Sequence, residues 1–421
     1  MKLRVERFGK DARAGQIRAL APAPRSVEEQ VTPIVAAVRT GGDAAVRRFT
    51  AQYDHAELEP DELRVPVAEI DEAIALLEPE VLRALRVAVE NVKAVAEAQL
   101  REPLQVELNE GQSVRILEPP VRRAAAYVPG GRAPYPSTVV MCAVTARVSG
   151  VDDFAVCAPP GPGGRAHPVI LAACALCRVN EVYRMGGAQA IAALAYGTET
   201  VAPVDVIVGP GNAYVTEAKR QVTGVVGIDG LNGPSELVVV AAGEDADPDL
   251  IALDLLAQAE HGPDSLLALI SPDAPLLGAV EQALAQVATE LGSVHDAPVA
   301  IVQSPDARSA VALADAVAPE HLELVGAEAE SHAEIVRSAG CLFVGRGAGT
   351  AFGDYVAGSN HVLPTGGAAR FASGLSVATF RRRMARVSLP DEAARALAPH
   401  GAAIARAEGF PIHGESMERR A

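Results

Sequence analysis

The chain contains no tryptophan and only 4% aromatic residues, so its interiors must be filled by the aliphatic side chains that make up most of its 49% hydrophobic content. It also lacks a basic surplus: 37 Lys and Arg stand against 53 Asp and Glu, a formal net charge of −16. A surface of that sign repels phosphate backbones and anionic headgroups, which argues against nucleic acid or a membrane as partner and for a small-molecule substrate. No stretch has the ~20 uninterrupted apolar residues of a membrane span, and residues 1–15 are charged without an apolar core. The expectation is a soluble, cytoplasmic protein. Cysteines are few, odd in number and scattered (Cys142, Cys157, Cys174, Cys177, Cys341), which reads as reduced core thiols and excludes a disulfide framework. Cys174 and Cys177 form a C-x-x-C, but "VILAACALCRV" is an apolar helix in which both read as small core residues, and no second pair stands near to complete a zinc site.

What is present suffices for more than one core, and at 421 residues two or more domains are expected. Residues 1–24 read as an arm packing on something else. From Ser26 a capping box with Glu29 predicts a helix, a break at Gly41-Gly42 and a second helix; another helical block covers 67–99. "QSVRIL" changes the period to that of a strand. Over 127–235 short apolar runs ("RAAAYV", "DDFAVCAP", "EVYRMG", "VDVIVG") alternate with helical stretches, the pattern of a parallel sheet covered by helices. Each run ends in a Gly or Pro loop: 129–131, 159–161, 186–187 and 209–212. Ligands of open α/β sheets bind at such carboxyl ends. After Ser235 the alternation resumes with "ELVVVAA", "SLLALIS", "APVAIVQ" and "GCLFVG", and helices begin at Asp249, Ala274 and Ala307. The predicted fold is α/β, with two Rossmann-like parallel-sheet units, one inserted in the other, and small terminal segments. Residues 25–126 with 236–373 form the main domain, 127–235 the inserted one, and 374–421 a C-terminal segment with a helix from Asp391. Arg381, Arg382 and Arg383 read either as a phosphate patch or as a solvated helix face paired with carboxylates.

Chemistry-bearing residues lie in four places. "DLIALDLLAQAEHGPDS" (249–265) reads as a buried helix that Gly262-Pro263 stops at His261, with Gln258 and His261 on one face of its last turn. Alone, the pair is ordinary capping or surface chemistry; as metal ligands it needs carboxylate or histidine partners elsewhere. "VAPEHLEL" sets Glu320 beside His321 at a strand start, where both serve one site only if the backbone turns. "FGDYVAGSNHVLPTGG" carries Asp354, Asn360 and His361 in a stretch too irregular for helix or strand, with Asx-turn chemistry as the plain alternative. His413 sits in a polar tail and by itself reads as solvent-exposed. Gln258, His261, Asp354 and His413 together offer the four ligands that zinc wants; spacing allows this without proving it.

The ordered set "YVPGGRAPYPSTVVM", "MGGAQAIAALAYGT", "VDVIVGPGNAYVTEAKRQV", "GPSE", "AQAEHGPDS", "APEHLEL" and "GDYVAGSNHVLPT" resembles the histidinol dehydrogenases over nearly the whole chain from about residue 25. The resemblance implies a zinc- and NAD-dependent four-electron oxidation of L-histidinol to L-histidine through L-histidinaldehyde, the last step of histidine biosynthesis. It implies one zinc per subunit on Gln258, His261, Asp354 and His413, with His321 as base and Glu320 activating the water for the second oxidation. It places substrate contacts at Ser235, His361 and Glu408, besides the zinc and acid–base residues, and NAD contacts at Tyr127, Gln189 and Asn212. It further implies a homodimer with a shared active site, completed by the partner's C-terminal segment. The NAD assignment rests on the resemblance, because Gly209-Pro210-Gly211 is not G-x-G-x-x-G. Asn232 stands where a small residue is expected. Other readings are a relative that oxidises a different alcohol, such as a sulfonated propanediol, a zinc hydrolase with Glu320 as base, and a metal-stabilised binding protein. Glu408 and His361 favour the imidazole substrate.

Overall fold

The computed structural model describes residues 4–22, 26–130, 133–291 and 296–421. Gly131, in one of the predicted loops, and the outermost residues of the arm lie outside these. Six parallel strands lie side by side in the order Arg4–Phe8, Pro298–Gln303, Leu266–Ser271, Glu236–Ala241, His321–Val325 and Cys341–Val344. A second parallel sheet has the order Val182–Arg184, Asp153–Ala158, Arg123–Tyr127, Val206–Val208 and Gly227–Ile228. Leaving aside Arg4–Phe8, each sheet carries its first strand in the middle and its third and fifth at the edges, the Rossmann-like order. Glu236–Ala241 and Leu266–Ser271 are buried at every residue, because helices cover both faces of a parallel sheet and a continuous aliphatic run is what such strands need. A third, antiparallel sheet joins Met384–Ser388, Ser113–Leu117 and Leu104–Glu107.

The N-terminal segments depart from the sequence expectation. Arg4–Phe8 pairs with Pro298–Gln303, so the arm extends the six-stranded sheet. The helices Glu28–Tyr53 and Pro79–Ala98 were grouped with residues 236–373, but they cover the five-stranded sheet. Val31, Ile34 and Val38 share a cluster with Ile191 and Leu194, and Leu85 and Val92 share one with Val139 and Val140. An apolar stripe records that a helix face is buried and not which sheet buries it. The break at Gly42 is real, with φ 51° and ψ −139°. The capping box is not formed: the helix starts at Glu28 after Val27, and Ser26 Oγ only accepts from Glu28 N at 3.4 Å. Arg381 to Arg383 lie on no helix; Arg381 donates to the carbonyls of Glu118 and Ser149, and Arg383 pairs with the Glu118 carboxylate at 2.9 Å.

Beside the central strand Arg123–Tyr127 of the five-stranded sheet, Gly209 turns the chain from Val206–Val208 toward the helix Ala213–Val222. Its φ is +103°, and a Cβ there would stand 2.1 Å from the carbonyl oxygen of Tyr127, so only glycine fits. A buried ion pair clamps it. Asp229 accepts from Gly209 N at 2.7 Å and from Lys219 Nζ at 2.5 Å, while Lys219 Nζ also donates to Gly209 O at 2.6 Å. Lys219→Met would strand the Asp229 carboxylate in the interior. The expected cost is about 3–5 kcal/mol, the range for half of a broken buried pair, seen as an earlier denaturant midpoint. An unchanged midpoint would show that solvent reaches the pair.

Candidate active site

The helix predicted to end at His261 closes earlier, at Ala259. The next amides tighten to bonds three residues back, Glu260 to Ala257, His261 to Gln258 and Gly262 to Ala259, so His261 sits in a 3₁₀-like turn just past Gln258. Gln258 is 2% exposed and its Nε2 has no partner. His261 opens to solvent, yet burial of its inner side lowers its pKa, with Asp354 acting against that.

Glu320 and His321 approach each other because the backbone turns just before them. Ala318 takes a left-handed turn at φ 51°, Glu320 precedes the strand and His321 opens it. Glu320 Oε2 lies 3.5 Å from His321 Nδ1, and His321 Nε2 lies 3.5 Å from Asp354 Oδ1 without forming a hydrogen bond. His321 Nδ1 is 3.1 Å from the carbonyl of Glu236. A carbonyl only accepts, so Nδ1 carries the proton and neutral His321 keeps a free lone pair on Nε2. Burial raises the Glu320 carboxyl to about 7, with His321 opposing. Burial would lower His321, but the carboxylates of Glu320 and Asp354 overcome it and raise its pKa to about 9, so the neutral form with Nε2 free to accept a proton grows as pH rises toward that value. Burial would raise Asp354; its histidine neighbours, His321 first, hold it low instead.

Asp354 stands on a short helix, Thr350–Tyr355, where the sequence suggested an irregular loop. The carboxylate of Glu323 caps that helix, accepting from Thr350 N at 2.6 Å. His361 turns inward, its Nδ1 2.9 Å from the Asp354 carbonyl and its Nε2 3.2 Å from Thr138 Oγ1. Thr138 belongs to the helix that follows Arg123–Tyr127. The site therefore lies where the carboxyl edge of the five-stranded sheet meets the amino edge of the six-stranded one. Asn360 takes the plain role: Nδ2 donates to Met141 O and Oδ1 accepts from Val362 N. Ser235, half-buried, immediately precedes Glu236.

Glu408 and His413 are exposed, and the ring of His413 packs 5.4 Å from that of Phe410. The helices Asp391–Ala407 and Pro411–Glu418 pack on each other. Among the described residues no three His, Cys, Asp or Glu side chains stand close enough to hold a metal. One chain brings His261 and Asp354 near His321, and the unpartnered Gln258 amide lies one turn before His261. That set fits a metal only if a further ligand comes from outside this cluster.

On the five-stranded sheet Tyr127 and Gln189 are buried. Tyr127 Oη accepts from Gly187 N at 3.3 Å, and Gln189 Nε2 donates to Asp54 at 3.3 Å. Burial raises the Asp54 carboxyl to about 6. Asn212 is exposed and caps Ala213–Val222, accepting from Tyr214 N and Val215 N. Cβ atoms on Gly186, Gly187, Gly209 or Gly211 would all collide, at 2.1–2.8 Å. The glycines thus let the loops pack closely on Pro159, Gln189, Tyr127 and Val215 at the sheet's carboxyl edge.

Arg18, Thr138, Glu236 and Glu323 were missed by the sequence reading. Glu236 had a signal, a carboxylate opening an otherwise aliphatic strand; the others had none.

Two Rossmann-like sheets, with a buried glutamate–histidine pair and an aspartate at their junction, make this an α/β protein of the dinucleotide-binding type of fold. The family model described as histidinol dehydrogenase matches residues 20–421. Curated histidinol dehydrogenases are similar throughout. That of Rhodospirillum rubrum is 44% identical, spanning 100% of this chain and 99% of the relative, and that of Cereibacter sphaeroides 46% identical, spanning 94% and 92%. The crystal structure of histidinol dehydrogenase from Elizabethkingia anophelis superposes with a TM-score of 0.92 at 31% identity, spanning 99% of this chain and 98% of that one. The chain belongs to the histidinol dehydrogenase family and is an oxidoreductase. No helix among the described residues is long and apolar enough to cross a membrane.

Proposed function

We propose that the protein oxidises L-histidinol to L-histidine through L-histidinaldehyde, the last step of histidine biosynthesis, with zinc and two NAD⁺ used in turn. The observation that carries this reading, beyond family membership, is His321: its Nδ1 is fixed, its Nε2 is free, and a buried carboxylate stands beside it. A hydride can leave a C–OH carbon only if the hydroxyl proton is taken up, and His321 Nε2 is the acceptor. The aldehyde must then gain water. Glu320, buried and with its pKa near neutrality, takes a proton from that water as its oxygen adds to the carbonyl carbon. The His321 proton taken up in the first step goes to the former carbonyl oxygen, and the resulting diol then loses a second hydride and a second proton to His321, leaving the carboxylic acid. A covalent thiol route is disfavoured, since Cys142, Cys157, Cys174 and Cys177 are buried, and burial raises all five thiols.

Gln258, His261, Asp354 and His413 would hold the zinc. Zinc there would bind and orient the substrate's imidazole and amine. Tyr127, Gln189 and Asn212 would contact NAD, which accepts each hydride; Gln189 would first have to exchange its bond to Asp54. Ser235, His361 and Glu408 would contact substrate. The exposure of Glu408 and His413, away from the cluster, supports a homodimer in which the 374–421 segment completes the partner's site.

NADH released from L-histidinol, with and without a chelator, tests the reading. About two NADH per histidinol, lost on chelation, are expected. A sulfonated or simple diol serves as the comparison. Turnover of that diol with none of histidinol would move the substrate, and silence with every alcohol would overturn the dehydrogenase reading.

A further inference from the structure

One buried residue holds both members of the acid–base pair. Glu236, 4% exposed, donates its backbone N–H to Glu320 Oε2 at 2.9 Å, and its carbonyl faces His321 Nδ1 at 3.1 Å. Its side chain is anchored in turn. Oε2 accepts from Glu320 N at 3.2 Å, and Oε1 accepts from Gly366 N at 2.9 Å in the chain just after His361. Both oxygens receive the guanidinium of Arg18, at 2.9 and 3.2 Å, in the forked geometry that only arginine offers.

Arg18 ends the helix Ala14–Arg18, in the arm that the sequence left without a role. Its remaining donors reach Val317 O at 2.6 Å and Ala318 O at 2.8 Å, the two carbonyls at the turn that brings Glu320 and His321 to one side. Ala318 holds a left-handed conformation there, which a residue with a Cβ keeps only when its surroundings fix it. Space for the guanidinium is left by Gly367, where a Cβ would stand 3.1 Å from Arg18 Nε. Arg18 also lies just outside the residues that the family model matches.

We infer that Arg18 and Glu236 are positioning residues for the oxidation: their ion pair fixes the 317–320 turn, and so sets the His321 tautomer and the direction of the Glu320 carboxylate. The inference rests on the reading of Glu320 and His321 as the acid–base pair. Without the fork, the turn and the Glu236 backbone are free to shift, and a displacement of about 1 Å at a reacting group lowers rate on the order of 10²-fold.

The test uses the full-length, zinc-loaded protein. Arg18→Met is expected to lower kcat for L-histidinol on the order of 10²-fold. KM for histidinol and for NAD should stay within about threefold, and bound zinc should be unchanged, because the fork touches neither the proposed ligands nor the glycine loops. Arg18→Lys keeps the charge but not the fork, so it should recover only part of the rate, and millimolar guanidinium should raise the kcat of Arg18→Met. A normal kcat in a folded Arg18→Met, or a loss confined to KM or to zinc content, would overturn the inference. Should Arg18→Met fail to fold, a wild-type kcat in Arg18→Lys overturns it equally. His321→Asn, assayed beside them, separates the two readings. If that variant turns over normally the acid–base assignment has failed; if it is inactive while Arg18→Met is normal, only the positioning role falls.

Discussion

His321→Asn is expected to lower turnover of L-histidinol by about 10²–10⁴-fold while leaving zinc bound, the range general-base catalysis supplies. The asparagine amide can still donate to the Glu236 carbonyl, as Nδ1 does at 3.1 Å, so the surrounding strand should keep its place. What it cannot do is accept a proton at the position of Nε2, which faces Asp354. The hydroxyl proton then has no imidazole acceptor, and the first hydride transfer should slow before the aldehyde forms. NADH production and metal content measured on one preparation separate the outcomes. Normal turnover would remove His321 from the role of base, and loss of zinc would make it a ligand instead.

His261→Asn should release the metal. Groups that merely orient a ligand change affinity by about 10–100-fold, so removing a ligand itself should exceed that. Asparagine is shorter than histidine and offers a weakly binding amide oxygen in place of an imidazole nitrogen. Gln258, Asp354 and His413 would remain, one ligand short of the proposed tetrahedral set and with a single imidazole among them. After dialysis against metal-free, chelator-free buffer the variant should be metal-free and inactive, while the wild type keeps both. Wild-type zinc content would refute the ligand assignment, whatever the activity.

The strands were readable because each is an aliphatic run bounded by Gly or Pro, and the spacing of Gln258 and His261 survived a helix that ends before His261. Local pattern carries such features. Asp354 was not placed on a helix because Thr350–Tyr355 is short and is capped by Glu323, 27 residues earlier in the chain. Its sequence alone gives no reason to wind. Arg18 and Glu236 are 218 residues apart, and a charge in a polar arm does not announce a buried partner. Likewise Arg4–Phe8 is mostly charged, with Val5 and Phe8 its only apolar residues, and it becomes a strand because a sheet edge is there to receive it. Glu408 and His413 were named through the family resemblance; the geometry of one chain does not bring them to the cluster.

The clamp on Gly209 bears on how a ligand would meet the five-stranded sheet. Both the N–H and the C=O of that residue are tied to the Lys219–Asp229 pair, which solvent barely reaches. Fixing a backbone residue ordinarily costs about 1–2 kcal/mol of conformational entropy when a mobile loop closes on a ligand. Here that ordering is complete when the chain folds. A ligand reaching Gly209 would therefore meet backbone already fixed, and the Gly209 amide proton should exchange with solvent only as the sheet itself opens.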